Sequence, residues 1–312
     1  MKKLTPTTIK MRKIILQQHQ SPGDILTLTR PIADLKATYP DWQIDVRTPS
    51  SELFENNPNI TPLKEGDEGV EVFDVNYEEI HNCGRLQQHW VEAYRHDLEK
   101  KLKIKIKKTG ILPELWISDL EKSWINQVIT EFNWKGPFWI INAGRKPDNE
   151  LKQYHRWQEV VDLLNEYFNG KVKIVQVGHK DHIHPPLKGV LNLVGKTDTR
   201  QYIRLCYWAS GTIGPLSLQS VISAALKQPA VVLMGGKEDV RWHLYPHMKY
   251  MYSNGSLPCC EWNGCWLGGS KGFCRNLVKT KQGKVPKCFA IIQPYMIADN
   301  VKSYYEGGML KL

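Results

Sequence analysis

The chain has 312 residues, 41% of them hydrophobic and 10% aromatic, which is ample for packed cores and excludes a disordered polymer. That length exceeds what one core commonly serves, so two domains are expected. Lys and Arg exceed Asp and Glu by ten (42 against 32), a balance that favours anionic partners: nucleotide phosphates, nucleic acid or an acidic membrane surface.

In chain order, "KIILQQ" (13–18) reads as a strand, and the turn "HQSPGD" leads into a helix on which Ile25, Leu28, Ile32 and Leu35 recur at helical intervals until Pro40. "WQIDVRTP" is a second strand, "SSELFENNP" a short helix and "GVEVFDV" a third strand, so the opening forms βαβ units of a parallel sheet. "GRLQQHWVEAYRHDLEKKL" and "SDLEKSWINQVITEF" read as amphipathic helices. Between them "KKLKIKIKK" (100–108) alternates Lys with Leu or Ile, which predicts a solvated edge strand. The pattern restarts after residues 132–137. "FWIINAG" is an apolar strand, "HRWQEVVDLLNEYF" a helix, "VKIVQVG" a strand and "DTRQYIRLCYWA" a helix. "GTIG" follows as a strand, "LQSVISAAL" as a helix and "PAVVLMGG" (229–236) as a buried strand. The expected architecture is α/β: two Rossmann-like halves, residues 1–135 and 136–312, facing each other across a cleft.

No stretch approaches the roughly 20 apolar residues of a membrane span. The basic start has no long apolar region and no small-residue cleavage site, so a cytoplasmic protein is expected.

In open parallel sheets ligands bind beyond the carboxyl ends of the strands, and three such ends are chemically equipped. At "SPGDILT", Asp24 either caps the helix that follows or projects into the cleft as a general base. At "NAGRKPDNELK", Asn142 and Gly144 precede the cations Arg145, Lys146 and Lys152, which suit a diphosphate; for Arg145 a surface loop is the plainer reading. At "GTIGPLSLQS", Gly214 and Ser217 lead into a helix whose amino end favours an anion.

Seven cysteines are present, and five crowd the segment 257–290 as Cys259, Cys260, Cys265, Cys274 and Cys288. In a reducing compartment such a cluster points to metal before disulfide, and four thiolates suit tetrahedral zinc or iron. Adjacent side chains diverge, so one of Cys259 and Cys260 is expected to be spare, with Cys260, Cys265, Cys274 and Cys288 as the preferred quartet. Four thiolates leave no open coordination position, which makes the ion structural: a clasp that orders a Gly- and Lys-rich loop. Cys83 and Cys206 lie in helical, partly apolar surroundings and read as packed residues. "HKDHIHPP" (179–186) offers His182 and His184 as a second metal pair, or simply a surface loop, which is the plainer reading. Tryptophans such as Trp90, Trp124 and Trp134 suit core or interdomain packing.

These residues resemble glycosyltransferase family 9, the ADP-heptose heptosyltransferases. The opening "GDILTLTRPIADLKATYPDWQIDVRTPSSELFENNPNI" is similar to the start of that family. "INAGRKPDNELK", "QEVVDLL", "VLNLVGKTDTRQYIRL", "PAVVLMGGKE" and "LPCCEWNGCW" with the later "PKC" resemble its bacterial autotransporter branch. The similarity runs from about residue 11 to 300. It implies a GT-B fold and an inverting transfer, needing no catalytic metal, of heptose or a similar sugar from an ADP-sugar donor. It implies Asp24 as catalytic base, Lys152 as the cation beside the departing diphosphate, and a cysteine-bound zinc or iron. It places the adenine at "GKTD", with Thr197, although Asp198 there is equally a helix cap. Gly236 and Glu238 end the last buried strand, where Glu238 is expected to reach a ribose hydroxyl. The helix after "GTIGP" offers Ser217 and Gln219 where the family carries a His, implying a changed sugar preference. The acceptor is a protein, glycan or lipid-linked sugar, and an oligomer is possible. Two other readings are a nucleic-acid-binding protein with a zinc module, which the dispersed cations speak against, and another GT-B enzyme such as a nucleotide-sugar epimerase.

Overall fold

The structure, a computed structural model, describes residues 11–83, 88–147, 150–261, 264–265 and 274–312. The amino-terminal half holds β1 (Lys13–Gln17), α1 (Pro22–Thr38), β2 (Gln43–Arg47) and β3 (Val70–Asp74). The three strands form a parallel sheet in the order β2-β1-β3, with Ile14 level with Ile44 and Glu71. The helices α2 (Glu78–Cys83), α3 (Trp90–Leu102), α4 (Asp119–Ser123) and α5 (Gln127–Phe132) follow. The carboxyl-terminal half adds β4 (Phe138–Ile141), α6 (Trp157–Phe168), β5 (Lys173–Gln176), β6 (Leu191–Asn192), α7 (Thr199–Trp208), β7 (Gly211–Pro215), α8 (Leu218–Ala225), β8 (Ala230–Gly235) and β9 (Met248–Tyr252). All six of its strands run parallel, in the order β6-β5-β4-β7-β8-β9. A hairpin, β10 (Leu277–Thr280) with β11 (Gly283–Pro286), and the helices α9 (Lys287–Ala290) and α10 (Pro294–Glu306) complete the chain. Among the described residues no helix is long and apolar enough to cross a membrane.

Alternation along β4 explains the layering. Phe138 and Ile140 face a core shared with the amino-terminal half, which includes Ile14, Leu28 and Trp90. Trp139 and Ile141 face the opposite layer, where Leu164 of α6 and Val301 of α10 pack. Each fully buried Ile or Leu contributes about 1.5–3 kcal/mol relative to exposure. α1 lies between α3 and α8, so it buries more than the single stripe its sequence spacing predicts, Thr27, Thr29 and Asp34 included. Asp34 is held there by Arg30 at 3.2 Å and by the backbone N–H of Thr109. At the seam, Gly23 approaches the start of α8 so closely that a Cβ would lie 3.3 Å from the Leu218 nitrogen. Arg200 of α7 clamps Glu121 of α4 with two hydrogen bonds of 2.7 Å.

Several expectations change. The lysine block is not a strand: Lys100, Lys101 and Leu102 complete the last turn of α3, and Lys103 caps it in the left-handed conformation. Ile106 then donates its backbone N–H to the Glu99 carboxylate and buries its side chain, so helix-end hydrogen bonding outcompetes the alternation. "SDLEKSWINQVITEF" splits into α4 and α5, because both Ser118 and Asn126 act as helix caps. Residues Ser51–Phe54 form a single 3-10 turn. β6, β9 and α10 were not anticipated. Residues 84–87, read as the start of a helix, lie outside the described residues.

Candidate functional site

The carboxyl ends of both sheets converge where α1 and α8 begin. The amino end of α1 is capped by the extended backbone of Ser21 without a side-chain bond, and Asp24 sits in the first turn. Asp24 therefore does not act as the cap; its carboxylate accepts the Tyr77 hydroxyl and faces Lys152 and Glu238. Burial, and then the negative charge of Glu238, push this carboxyl up to about 7; Lys152, the Ser21 backbone and Tyr77 act in the opposite direction.

Lys152 comes from the single turn Glu150–Lys152 beyond β4. Its ammonium donates to the Leu216 carbonyl at 2.9 Å and stands 3.5 Å from Glu238 Oε1. Glu238, expected to reach a ribose hydroxyl, is 4% exposed and turned inward to Lys152 and His243. Burial alone would raise its affinity for a proton, but Lys152, His243 and Lys237 outweigh that and hold it well below the usual carboxylate range. His243 Nε2 lies 3.2 Å from Glu238 Oε2, off the alignment of a hydrogen bond, so among the described residues both buried atoms have no aligned partner. Two carboxylates facing one ammonium are thus driven apart: Glu238 keeps its charge, while Asp24 exchanges a proton near neutrality. Such a divergence separates a fixed charge from a general base.

Aromatic rings line the rear of this pair. Tyr77 stacks on Trp90 at 4.5 Å, and Trp90 meets the His243 ring at 4.0 Å. Trp90 thus packs between the halves, as its sequence reading expected. Trp124 does not: it is 43% exposed, with the Arg204 guanidinium 4.0 Å from its ring centre. Tyr77, His243 and Trp242 were missed as site residues. Tyr77 stands just beyond the carboxyl end of β3, so the strand-end rule that found Asp24 applies to it equally.

The other expected donor residues lie along the carboxyl edge of the six-stranded sheet. Asn142 and Gly214 meet where β4 and β7 end; a Cβ on Gly214 would lie 2.9 Å from the Asn142 carbonyl oxygen. Ser217 is the amino-terminal cap residue of α8, and its Oγ has no hydrogen-bond partner among the described residues. Gly144 and Gly178 leave space for the His184 ring, which a Cβ on either would strike. The rings of His179, His182 and His184 neighbour one another. Arg145 pairs its backbone with Ile183 and donates to the carbonyls of Lys146 and Pro147, as a loop residue does. Lys146 is exposed, and Thr197 precedes Asp198, which forms a capping box with Gln201 at the start of α7.

All five clustered cysteines line one cavity, with Leu151, Gly236 and Lys237. Burial comes first in pushing the Cys265 thiol up to about 11 and Cys288 up to about 12, and each is raised further by its neighbouring thiols. Among the described residues no three His, Cys, Asp or Glu side chains stand as placed in an arrangement that holds a metal ion. The convergent thiols nevertheless fit one chemically, since soft sulfur donors suit zinc or iron. Part of the segment, residues 262–263 and 266–273, lies outside the described residues. Cys206 is buried in α7, as expected; of Cys83 only its place in α2 is described. The cysteine segment grips the loop after β8 directly: Cys265 donates its N–H to the Gly236 carbonyl at 2.9 Å, and a Cβ on Gly236 would lie 2.7 Å from Cys260 Sγ. That loop carries Lys237 and Glu238, so the described part of the segment braces the site.

No protein-family model and no curated protein matches the chain. Solved structures do. A family 9 glycosyltransferase from Veillonella parvula DSM 2008 is 13% identical, with 94% of this chain and 96% of that one covered and a TM-score of 0.65. The Escherichia coli ADP-heptose lipopolysaccharide heptosyltransferase II is 15% identical, covering 96% and 100%, with a TM-score of 0.59. The iron-containing dodecameric glycosyltransferase TibC from enterotoxigenic Escherichia coli H10407 is 16% identical, covering 96% and 78%, with a TM-score of 0.66. TibC in complex with ADP-D-β-D-heptose is 14% identical over the same shares, with a TM-score of 0.67. At these identities the likeness is one of fold: the chain has the two-sheet α/β architecture shared by family 9 glycosyltransferases and heptosyltransferases.

Proposed function

We propose that this protein is an inverting glycosyltransferase that moves a sugar, heptose or a close relative, from an ADP-sugar donor to a hydroxyl group. The observation that carries the reading is that Asp24 from one half lies within electrostatic reach of Lys152 from the other, beside a second carboxylate that keeps its charge. The Asp24 carboxylate takes the proton of the acceptor hydroxyl as that oxygen bonds to the anomeric carbon. The bond from that carbon to the diphosphate oxygen breaks, and the diphosphate leaves with the electron pair. Lys152 meets the charge growing on the leaving group, an interaction stronger in the transition state than in the ground state. Asn142, Gly144, Lys146, Thr197, Gly214, Ser217 and Gly236 are the candidates to hold the donor along the sheet edge. The ADP moiety is inferred from the fold likeness to TibC, which was solved with ADP-D-β-D-heptose. The acceptor is a protein, glycan or lipid-linked sugar, and the TibC assembly makes an oligomer part of the proposal.

Cys260, Cys265, Cys274 and Cys288, with Cys259 as alternate, would hold zinc or iron, whose contribution when bound is to order the segment. No step of the transfer draws on it. The test is Asp24→Asn, assayed for transfer and for stabilisation by donor, since a ligand that binds only the folded state raises its melting temperature. The expected result is a loss of about 10²–10⁴ in kcat with donor stabilisation retained. Near-normal transfer by the variant overturns the assignment of Asp24.

A further inference from the structure

Behind Asp24 and Lys152, four buried side chains close a ring between the two halves. Tyr77, at 3% exposure, gives its hydroxyl to the Asp24 carboxylate and lays its ring on Trp90, inclined by 16°. Trp90 in turn meets His243 edge-on at 62°. His243 abuts one oxygen of Glu238 at 3.2 Å, and the other oxygen faces Lys152 at 3.5 Å. The Lys152 charge in turn favours the ionised Asp24 carboxylate, which links the two ends of the circuit electrostatically. A carboxylate as deeply buried as Glu238 is costly unless it is paired. Its two oxygens are directed at members of this ring, His243 and Lys152.

We propose that Tyr77 and Glu238 are positioning residues that, from opposite halves of the molecule, hold the Asp24 carboxylate and the Lys152 ammonium in register, tied to each other through Trp90 and His243. The proposal rests on reading Asp24 and Lys152 as the working pair. The two residues act on Asp24 with opposite sign. The Tyr77 hydroxyl favours the ionised carboxylate, whereas the Glu238 charge disfavours it. The other charged or titratable side chains facing Asp24 are Lys152, Lys237, Tyr94 and Tyr245, none of which either substitution removes.

The experiment compares Tyr77→Phe, which keeps the stacked ring, with Glu238→Gln, which keeps the shape. Two readouts are taken: the pH profile of transfer from an ADP-sugar, and the titration of the Asp24 carboxyl by carbon-13 NMR, assigned with Asp24→Asn. Glu238→Gln should move the Asp24 midpoint down and Tyr77→Phe should move it up, each by roughly half a pH unit or more. Both should lower kcat more than they change KM. Glu238→Asp should restore part of the lost rate. A midpoint unmoved in both variants, or moved the same way in both, overturns the proposal. The NMR titration needs no turnover. Opposite shifts in a chain that transfers no sugar would leave the ring standing and sink the glycosyltransferase reading alone.

Discussion

Asp24 and Glu238 confront the same ammonium, that of Lys152, and leave the encounter with opposite characters: the first is raised to about 7, the second is held strongly ionised. The difference lies in what surrounds them. Glu238 has the Lys237 ammonium and the buried His243 ring on two further sides, whereas Asp24 has a hydroxyl, a backbone N–H and another carboxylate. A base poised near neutral pH serves proton abstraction better than one of ordinary aspartate strength, because proton-transfer driving force and correct ionisation are both retained.

The first prediction is a pH profile. A general base works only when deprotonated, so kcat/KM for transfer should fall tenfold per pH unit below a midpoint near 7 and level off above it. The measurement is kcat/KM from pH 5 to 9 with saturating acceptor. A rate that is flat down to pH 5 would mean that the titrating group is not Asp24.

The second concerns the brace. Gly236 has space for hydrogen only, because a Cβ would press on Cys260 at 2.7 Å from Sγ and 3.0 Å from the Cys260 Cβ. Gly236→Ala must therefore push the cysteine segment outward, at a cost of about 1–3 kcal/mol, typical of overpacking. Because the proposed site needs four thiolates to converge on one ion, the variant should carry less zinc or iron per chain than the parent. It should also melt at a lower temperature and bind donor more weakly through the displaced Lys237–Glu238 loop. Chelating the metal from the parent should reproduce the loss of melting temperature. Full metal content in a variant of unchanged stability would show that the thiols and the loop are independent.

Much of this architecture was legible because parallel strands buried on both faces are written as apolar runs: "KIILQ", "FWII" and "AVVLMG" became β1, β4 and β8. Asp24 and Lys152 stood out as candidates because chemistry in such sheets sits just beyond strand ends. The lysine block was misread because alternation is a local signal, whereas a helix end with a glutamate to receive stray N–H groups depends on α3 and on Glu99. β9, "MKYMY", is only partly buried on one edge of the sheet, so its pattern lacks the apolar run of its neighbours. The ring through Tyr77, Trp90, His243 and Glu238 draws on residues up to 166 positions apart in number (77 to 243), and no spacing rule joins them. Only the packing of α3 against the loop after β8 brings them together.

The last prediction sets stability against function. The Asp24 carboxyl titrates near 3.8 in an unfolded chain and near 7 in the folded one. Between those values the folded state holds a proton that the unfolded state has released. Folding stability therefore declines as pH rises from about 4 to about 7, and the full penalty persists above that. Asparagine carries no such penalty, and its side-chain oxygen still accepts the Tyr77 hydroxyl. Asp24→Asn should consequently be more stable than the parent at pH 8 by on the order of 1–2 kcal/mol. That is less than the whole difference between the two pKa values would give, because the group keeps some contact with water. The advantage should shrink toward zero near pH 4. Denaturant unfolding at pH 4, 6 and 8 measures it directly. An Asn variant that is less stable than the parent at pH 8 would show that the Asp24 charge is welcome where it lies, and that the crowding of Glu238 against it is fully compensated by Lys152.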